Sequence, residues 1–212
     1  MIKKVIFDLD NTLIMFKEEY IESYKVALEK SGYEATYEDA YNIFESIGRY
    51  EQTQKSLDKQ KLLDFMNKDL NKNYSLSFVD NSIEAVADGW IHPVSKELID
   101  LLEYLSSKYE LYVLTNFFTE CQAKRLKNVG IDSYFKEIVG ADIVKMKPSK
   151  EAFTYFIDED GSECIMIGDN INTDIKGAIE VGMQVILFDY KNMYSDLPYQ
   201  KVTNYTEIKD IL

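Results

Sequence analysis

The sequence predicts an α/β fold: a doubly wound parallel sheet interrupted by one long α-helical insertion. Three observations predict it. Short apolar runs at residues 5–7, 111–114, 165–167 and 185–188 have the length of buried strands, and a weaker fifth lies at 135–139. Helical apolar stripes lie between them, which is the alternation expected of a parallel sheet covered on both faces. Between residues 16 and 91 no strand pattern occurs at all.

The first run ends in Asp8-Leu9-Asp10-Asn11-Thr12. A buried strand ending in Asp-x-Asp delivers two carboxylates to the carboxyl edge of the sheet, where open α/β folds keep their ligand crevices. Such a repelling pair is tolerated when a cation or a shared proton relieves it. Taken alone, it also fits a strand ending in an Asx-type turn with solvated acids.

The stretch from 16 to 91 is far too long for a loop. Tyr20, Ile21, Tyr24, Ala27 and Leu28 make one helical stripe, stopped near Ser31-Gly32. Leu62, Phe65, Met66 and Leu70 make a second, and Ile83, Val86, Ala87 and Trp90 a third, stopped before Pro93. The expected organisation is a core of residues 1–15 and 92–212 with an inserted helical domain at 16–91, hinged beside the Asp pair and able to close over it. His92, at the exit of the insertion, reads as a hinge residue. Phe16, Tyr20 and Tyr24 near its entry, and Arg49 within it, are candidates for substrate contact; for the aromatics core packing is the alternative, and for Arg49 a solvated surface.

Back in the core, Val94, Leu98, Leu101, Leu102 and Leu105 share a helix face. The second strand ends in Thr115-Asn116, which offers a hydroxyl, a carboxamide and backbone N–H groups to an anionic oxygen. Lys147 precedes Pro148, whose ring stiffens the backbone that aims the Lys. The third long run enters Gly168-Asp169-Asn170, with Asp174 at the head of a helix carrying Ile171, Ile175, Ala178 and Ile179. Asp169 ends its strand as Asp8 does, and hard oxygen donors from two strand ends suit Mg²⁺. Asp174 also fits a plain helix N-terminal acid. The acidic run 158–160 before Gly161 reads as a turn, since it lacks the remaining ligands of a calcium loop.

Composition narrows the partners. The 212 residues are 46% apolar and 13% aromatic, as globular chains are. A net charge of −13 argues against a nucleic-acid groove, and a phosphorylated small molecule needs a local cation to reverse the field. Cys121 and Cys164 stand in no paired motif and read as small buried hydrophobes. No apolar run approaches a membrane span, and the first strand begins too early to leave room for a signal peptide, so the expected location is cytoplasmic.

In order along the chain, Asp8-Leu9-Asp10-Asn11-Thr12, Thr115-Asn116, Lys147-Pro148 and Gly168-Asp169-Asn170 with Asp174 resemble the four motifs of the haloacid dehalogenase superfamily. The resemblance spans residues 4–189, and the insertion lies where one subclass carries its cap. It implies a Rossmann-like core with a helical cap and a Mg²⁺-dependent phosphatase acting on a small phosphate monoester. A nucleoside monophosphate or sugar phosphate is the substrate implied, and the aspartyl-phosphate the intermediate. Asp8 would be the nucleophile and Asp10 the general acid and base, a role that needs a raised pKa, which crowding by Asp8 and partial burial would supply. Mg²⁺ would be held by the Asp8 side chain, the Asp10 backbone carbonyl and Asp169. Thr115, the Asn116 backbone and Lys147 would hold the phosphoryl oxygens, with Asn170 and Asp174 orienting metal waters or Lys147. An acid at Asp10 favours an alcohol leaving group, because the dehalogenases and phosphonate hydrolases of the superfamily lack one there. Asn11 departs from the commoner Gly. A phosphomutase or phosphotransferase of the same superfamily is the alternative, and a non-catalytic phosphometabolite-binding protein a more distant one. The expected assembly is a monomer or weak homodimer.

Overall fold

The computed structural model describes residues 1–15, 19–89 and 93–212. Phe16, Trp90 and His92, each singled out above, lie outside the described residues.

Six strands form one sheet: β1 (Lys4–Phe7), β2 (Glu110–Leu114), β3 (Glu137–Val139), β4 (Cys164–Gly168), β5 (Gln184–Phe188) and β6 (Gln200–Val202). Every neighbouring pair is parallel, in the order β3-β2-β1-β4-β5-β6. The chain winds outward from β1 to β3, then returns to build β4 to β6 on the other side. Strand order therefore reverses between β1 and β4, where such sheets open a crevice at their carboxyl edge. The fold is the doubly wound α/β architecture that the sequence predicts.

The two-residue period of the strands sorts their side chains between two layers. Val5, Phe7, Val113, Ile165 and Ile167 face one way, packing with Leu98, Leu101, Leu102 and Leu105 of α5 (Lys96–Ser106) and Ile208 of α9 (Tyr205–Ile211). Ile6, Tyr112, Leu114, Met166 and Leu187 face the other way, onto Phe153 of α7 (Lys150–Thr154) and Ala178 of α8 (Lys176–Glu180). α6 (Thr119–Asn128) connects β2 towards β3. Ile179, expected on the buried face of its helix, is exposed. The helix begins as a π-turned segment, Ile171–Ile175, and the extra residue per turn rotates the positions after it.

Among the described residues between β1 and α5 lie four helices rather than the three that the stripes suggest: α1 (Glu19–Lys30), α2 (Tyr37–Thr53), α3 (Lys59–Leu70) and α4 (Leu76–Gly89). The unforeseen α2 buries Ala40, Ile43, Ile47 and Tyr50, a correctly spaced stripe diluted by polar residues, with Thr36 capping its first turn. β6 was unforeseen too, since it buries only Val202. The helices share a hydrophobic cluster that extends to Phe117, Phe118, Cys121, Ala141 and Met146 beyond the insertion. Two backbone bonds reinforce that junction, Leu57 N–H to the Ala141 carbonyl at 3.0 Å and Met146 N–H to the Lys55 carbonyl at 2.9 Å.

Among the described residues no helix is long and apolar enough to cross a membrane.

Candidate active site

Register brings the acids together. Phe7 pairs with Ile167, and the Asp8 N–H donates to the Ile167 carbonyl at 2.8 Å, so Asp8 and Asp169 emerge side by side from adjacent strands. Leu9 then starts a tight turn, its carbonyl accepting from Leu13 and Ile14. That turn places Asn11 at φ 62°, a conformation that Gly or Asn adopts with least strain, which is why Asn serves here.

Lys147 ties the cluster together. Buried, it donates from Nζ to Asp8 Oδ1 at 2.6 Å and to Asp174 Oδ1 at 2.7 Å. Asp8, Asp169 and Asp174 each bring a carboxylate oxygen within 4.8 Å of the others. Burial pushes the Asp8 carboxyl well above its ordinary range; Lys147 pulls it back, and Asp174 and Asp169 push it further. Burial alone would lower the Lys147 ammonium, but Asp174 and Asp8 outweigh it and hold it above its ordinary value. Burial and then Asp174 push Asp169 up to about 6. Three crowded hard-oxygen donors with one Lys between them fit a divalent cation of the Mg²⁺ kind, which relieves their repulsion.

The remaining motif residues fix this geometry. The Asn116 side chain clasps the Lys147 backbone, accepting from its N–H at 2.7 Å and donating to its carbonyl at 3.1 Å. Its carboxamide is thus a clamp on the loop that carries Lys147. Thr115 Oγ1 accepts from Gln122 at 3.0 Å, which leaves its hydroxyl proton to donate elsewhere. Asn170 Oδ1 caps the π-turned segment, accepting from the N–H groups of Asn172 and Thr173, while its own N–H donates to Asp174 Oδ2 at 3.0 Å. A Cβ on Gly168 would lie 2.4 Å from Asp174 Oδ2, so glycine is required there for Asp174 to reach Lys147.

Asp10 has a partner that the sequence motifs do not name: its carboxylate carries an arginine. Arg125 Nη2 meets Asp10 Oδ1 at 2.8 Å and Nη1 meets Oδ2 at 3.2 Å. Gln122 and the Tyr20 hydroxyl add longer contacts at 3.4 Å, and the Arg125 guanidinium lies 4.9 Å from the Tyr20 ring centroid. Arg125 is fully buried. Sequence reading passed it over, yet a signal exists: Gln122 and Arg125 share the face of α6 that carries Cys121 and Leu126, where apolar residues belong.

Asp8, Asp10, Asn11, Thr115, Asn116, Lys147, Asp169, Asn170 and Asp174 all line one crevice of about 250 Å³, joined by Glu51, Phe117 and Thr173. Tyr20 reaches its edge through Asp10, while Tyr24 is buried in the helical cluster. Arg49 is not brought there. It pairs with Asp69 on the exposed side of α2, Nη2 to Oδ2 at 2.7 Å. With Tyr50 turned into the core, its neighbours on the helix diverge: Arg49 goes to α3 and Glu51 to the crevice. Glu51 was missed because α2 itself was missed.

A family model described as haloacid dehalogenase-like hydrolase matches residues 2–182. The glyceraldehyde 3-phosphate phosphatase of Methanocaldococcus jannaschii is 27% identical over 97% of this chain and 92% of its own. The ribulose-1,5-bisphosphate 5-phosphatase of Halopiger xanaduensis is 26% identical over 89% of this chain and 85% of its own. Among solved structures, the HAD-hydrolase YfnB of Bacillus subtilis, described as bound to magnesium with interdomain movement, superposes with a TM-score of 0.73. It is 20% identical, over 99% of this chain and 98% of that one.

Proposed function

The chain belongs to the haloacid dehalogenase-like hydrolase family, and from that premise we propose a Mg²⁺-dependent phosphatase that hydrolyses a small phosphate monoester through an aspartyl-phosphate. The relatives that match along most of their length are named as sugar-phosphate phosphatases, which supports this enzyme class. The observation that carries the reading is Lys147, bonded at once to Asp8 and Asp174 beside Asp169.

Residues 1–15 and 92–212 form the catalytic core in this reading, and 16–91 the cap. The Asp8 side chain, the Asp10 carbonyl and Asp169 would hold Mg²⁺, which when bound would supply positive charge beside the phosphoryl oxygens. Asp8 is the nucleophile, its orientation set by Lys147 on Oδ1, with only the long 3.4 Å contact from Thr12 on Oδ2 among the described residues. Thr115 donates its hydroxyl proton, and Lys147 and the Asn116 N–H offer charge and a further donor, to the phosphoryl oxygens. Asp10 passes a proton to the departing alcohol and later takes one from the attacking water. Arg125 holds both of its oxygens, so a proton on Asp10 requires release of one of those two bonds.

Phosphate release from a broad panel of phosphorylated metabolites tests the reading. Asp8→Asn should abolish release with the circular dichroism spectrum unchanged, and chelator should stop the wild type. Full turnover in Asp8→Asn or in excess chelator would remove this mechanism.

A further inference from the structure

Among the described residues lining the crevice, Lys147 is the one cation, against five acids. Four of those acids are accounted for. Asp8 and Asp174 bond Lys147, Asp10 bonds Arg125, and Asp169 lies within the 4.8 Å carboxylate cluster that fits a divalent cation. Glu51 is the exception. It enters from α2 of the insertion, and its half-buried side chain has no hydrogen bond or ion pair among the described residues. Asp39 of the same helix has Lys72, and Asp69 of α3 has Arg49. Burial and the nearby Asp10 push Glu51 up to about 8, against a smaller opposing pull from Lys147, to which it is not bonded.

A carboxyl aimed into a binding crevice without a partner is completed by whatever binds there. Resting on the phosphatase reading, the phosphoryl group belongs at the Lys147 and Thr115 end, so the alcohol portion is the part that meets an insertion residue. There, a hydroxyl or ammonium group supplies the missing donor. Once Glu51 is ionised, a second phosphate or a carboxylate there adds like charge beside it. Phe117, which also lines the crevice, contributes an apolar surface but no charge.

We propose that Glu51 is a specificity-determining residue that selects monophosphates whose alcohol carries hydroxyl or amino donors and rejects those bearing a second anionic group. It differs from the residues that handle phosphate: it reads the leaving group.

The test compares kcat/KM for glycerol 1-phosphate and for 3-phosphoglycerate in wild type, Glu51→Gln and Glu51→Lys, at about pH 9, where the carboxyl is ionised. The wild type should favour glycerol 1-phosphate. That preference should fall about tenfold in Glu51→Gln and further in Glu51→Lys, mostly through KM. Circular dichroism confirms that each variant folds. An unchanged ratio in both folded variants, or a wild type that prefers 3-phosphoglycerate, overturns the proposal. Wild-type hydrolysis of p-nitrophenyl phosphate, whose leaving group bears no such donor or anion, separates the two levels. If it is absent with Mg²⁺, the phosphatase reading falls; if it is present with the ratio unmoved, only the role of Glu51 falls.

Discussion

Replacing Arg125 by Met removes a buried guanidinium while keeping much of its bulk. Arg125 is 0% exposed at its side chain, and its Asp10 partner is 30% exposed. Losing one member of a buried pair costs about 3–5 kcal/mol, and water reaching the partly exposed Asp10 reduces that to about 2–3 kcal/mol. The loss includes the 2.6 Å bond from Arg125 Nη1 to Gln122 Oε1 and the packing on Tyr20. For a chain of this size the melting temperature should fall by about 4–12 °C. Stability alone does not distinguish a structural arginine from a positioning one, so the kinetic readout matters. In Arg125→Met, Asp10 keeps among the described residues only its longer contacts to Gln122 and Tyr20 and no longer points in one direction. Turnover should fall about tenfold or more on an alkyl phosphate and less on p-nitrophenyl phosphate, whose leaving group needs little protonation. Arg125→Lys retains the charge but not the fork and should be intermediate. Thermal unfolding by circular dichroism and steady-state kinetics on both substrates measure these effects. A Met variant that melts with the wild type, or loses alkyl and aryl turnover equally, would refute the argument.

Two further outcomes follow from the same geometry. Gly168→Ala sets a methyl 2.4 Å from Asp174 Oδ2 and so displaces Asp174 from Lys147; phosphatase turnover should drop at least about tenfold, and wild-type turnover would show that Asp174 relocates freely. For pH dependence, the folded value of Asp169 is raised from 3.8 to about 6, so the metal-free folded state holds more protons than the unfolded chain between them. Stability without metal should therefore decline as pH rises through that window, and stabilisation by Mg²⁺, which needs the carboxylates ionised, should grow. Melting curves between about pH 4 and pH 8, with and without Mg²⁺, check both signs; a Mg²⁺ shift that is largest at the acid end contradicts them.

Much of the frame is legible in the sequence because it depends on local pattern. The strands β1, β2, β4 and β5 are continuous apolar runs, and a run that ends in a polar residue announces both the strand and what it delivers to the sheet edge. Hence the pattern alone places Asp8, Thr115 and Asp169 each at a strand end. β6 and α2 escaped for the opposite reason. β6 buries a single residue, and α2 spreads its apolar positions among tyrosines and acids.

Pairing between distant side chains is what tertiary structure alone decided. Nothing local in Asp10 states that Arg125, far along the chain, will hold it, because that depends on α6 folding back over the β1 turn. Nor does Asn116 reveal that its side chain clamps Lys147 rather than a ligand. On α2, Arg49 and Glu51 stand two positions apart; burial of the intervening Tyr50 sends one to the surface and the other to the crevice. Sequence determined which chemical groups reach the carboxyl edge of the sheet, since strand period and strand ends are properties of neighbouring residues. Which charge faces which was left to packing, because electrostatic partnership is a matter of distance in space and not along the chain.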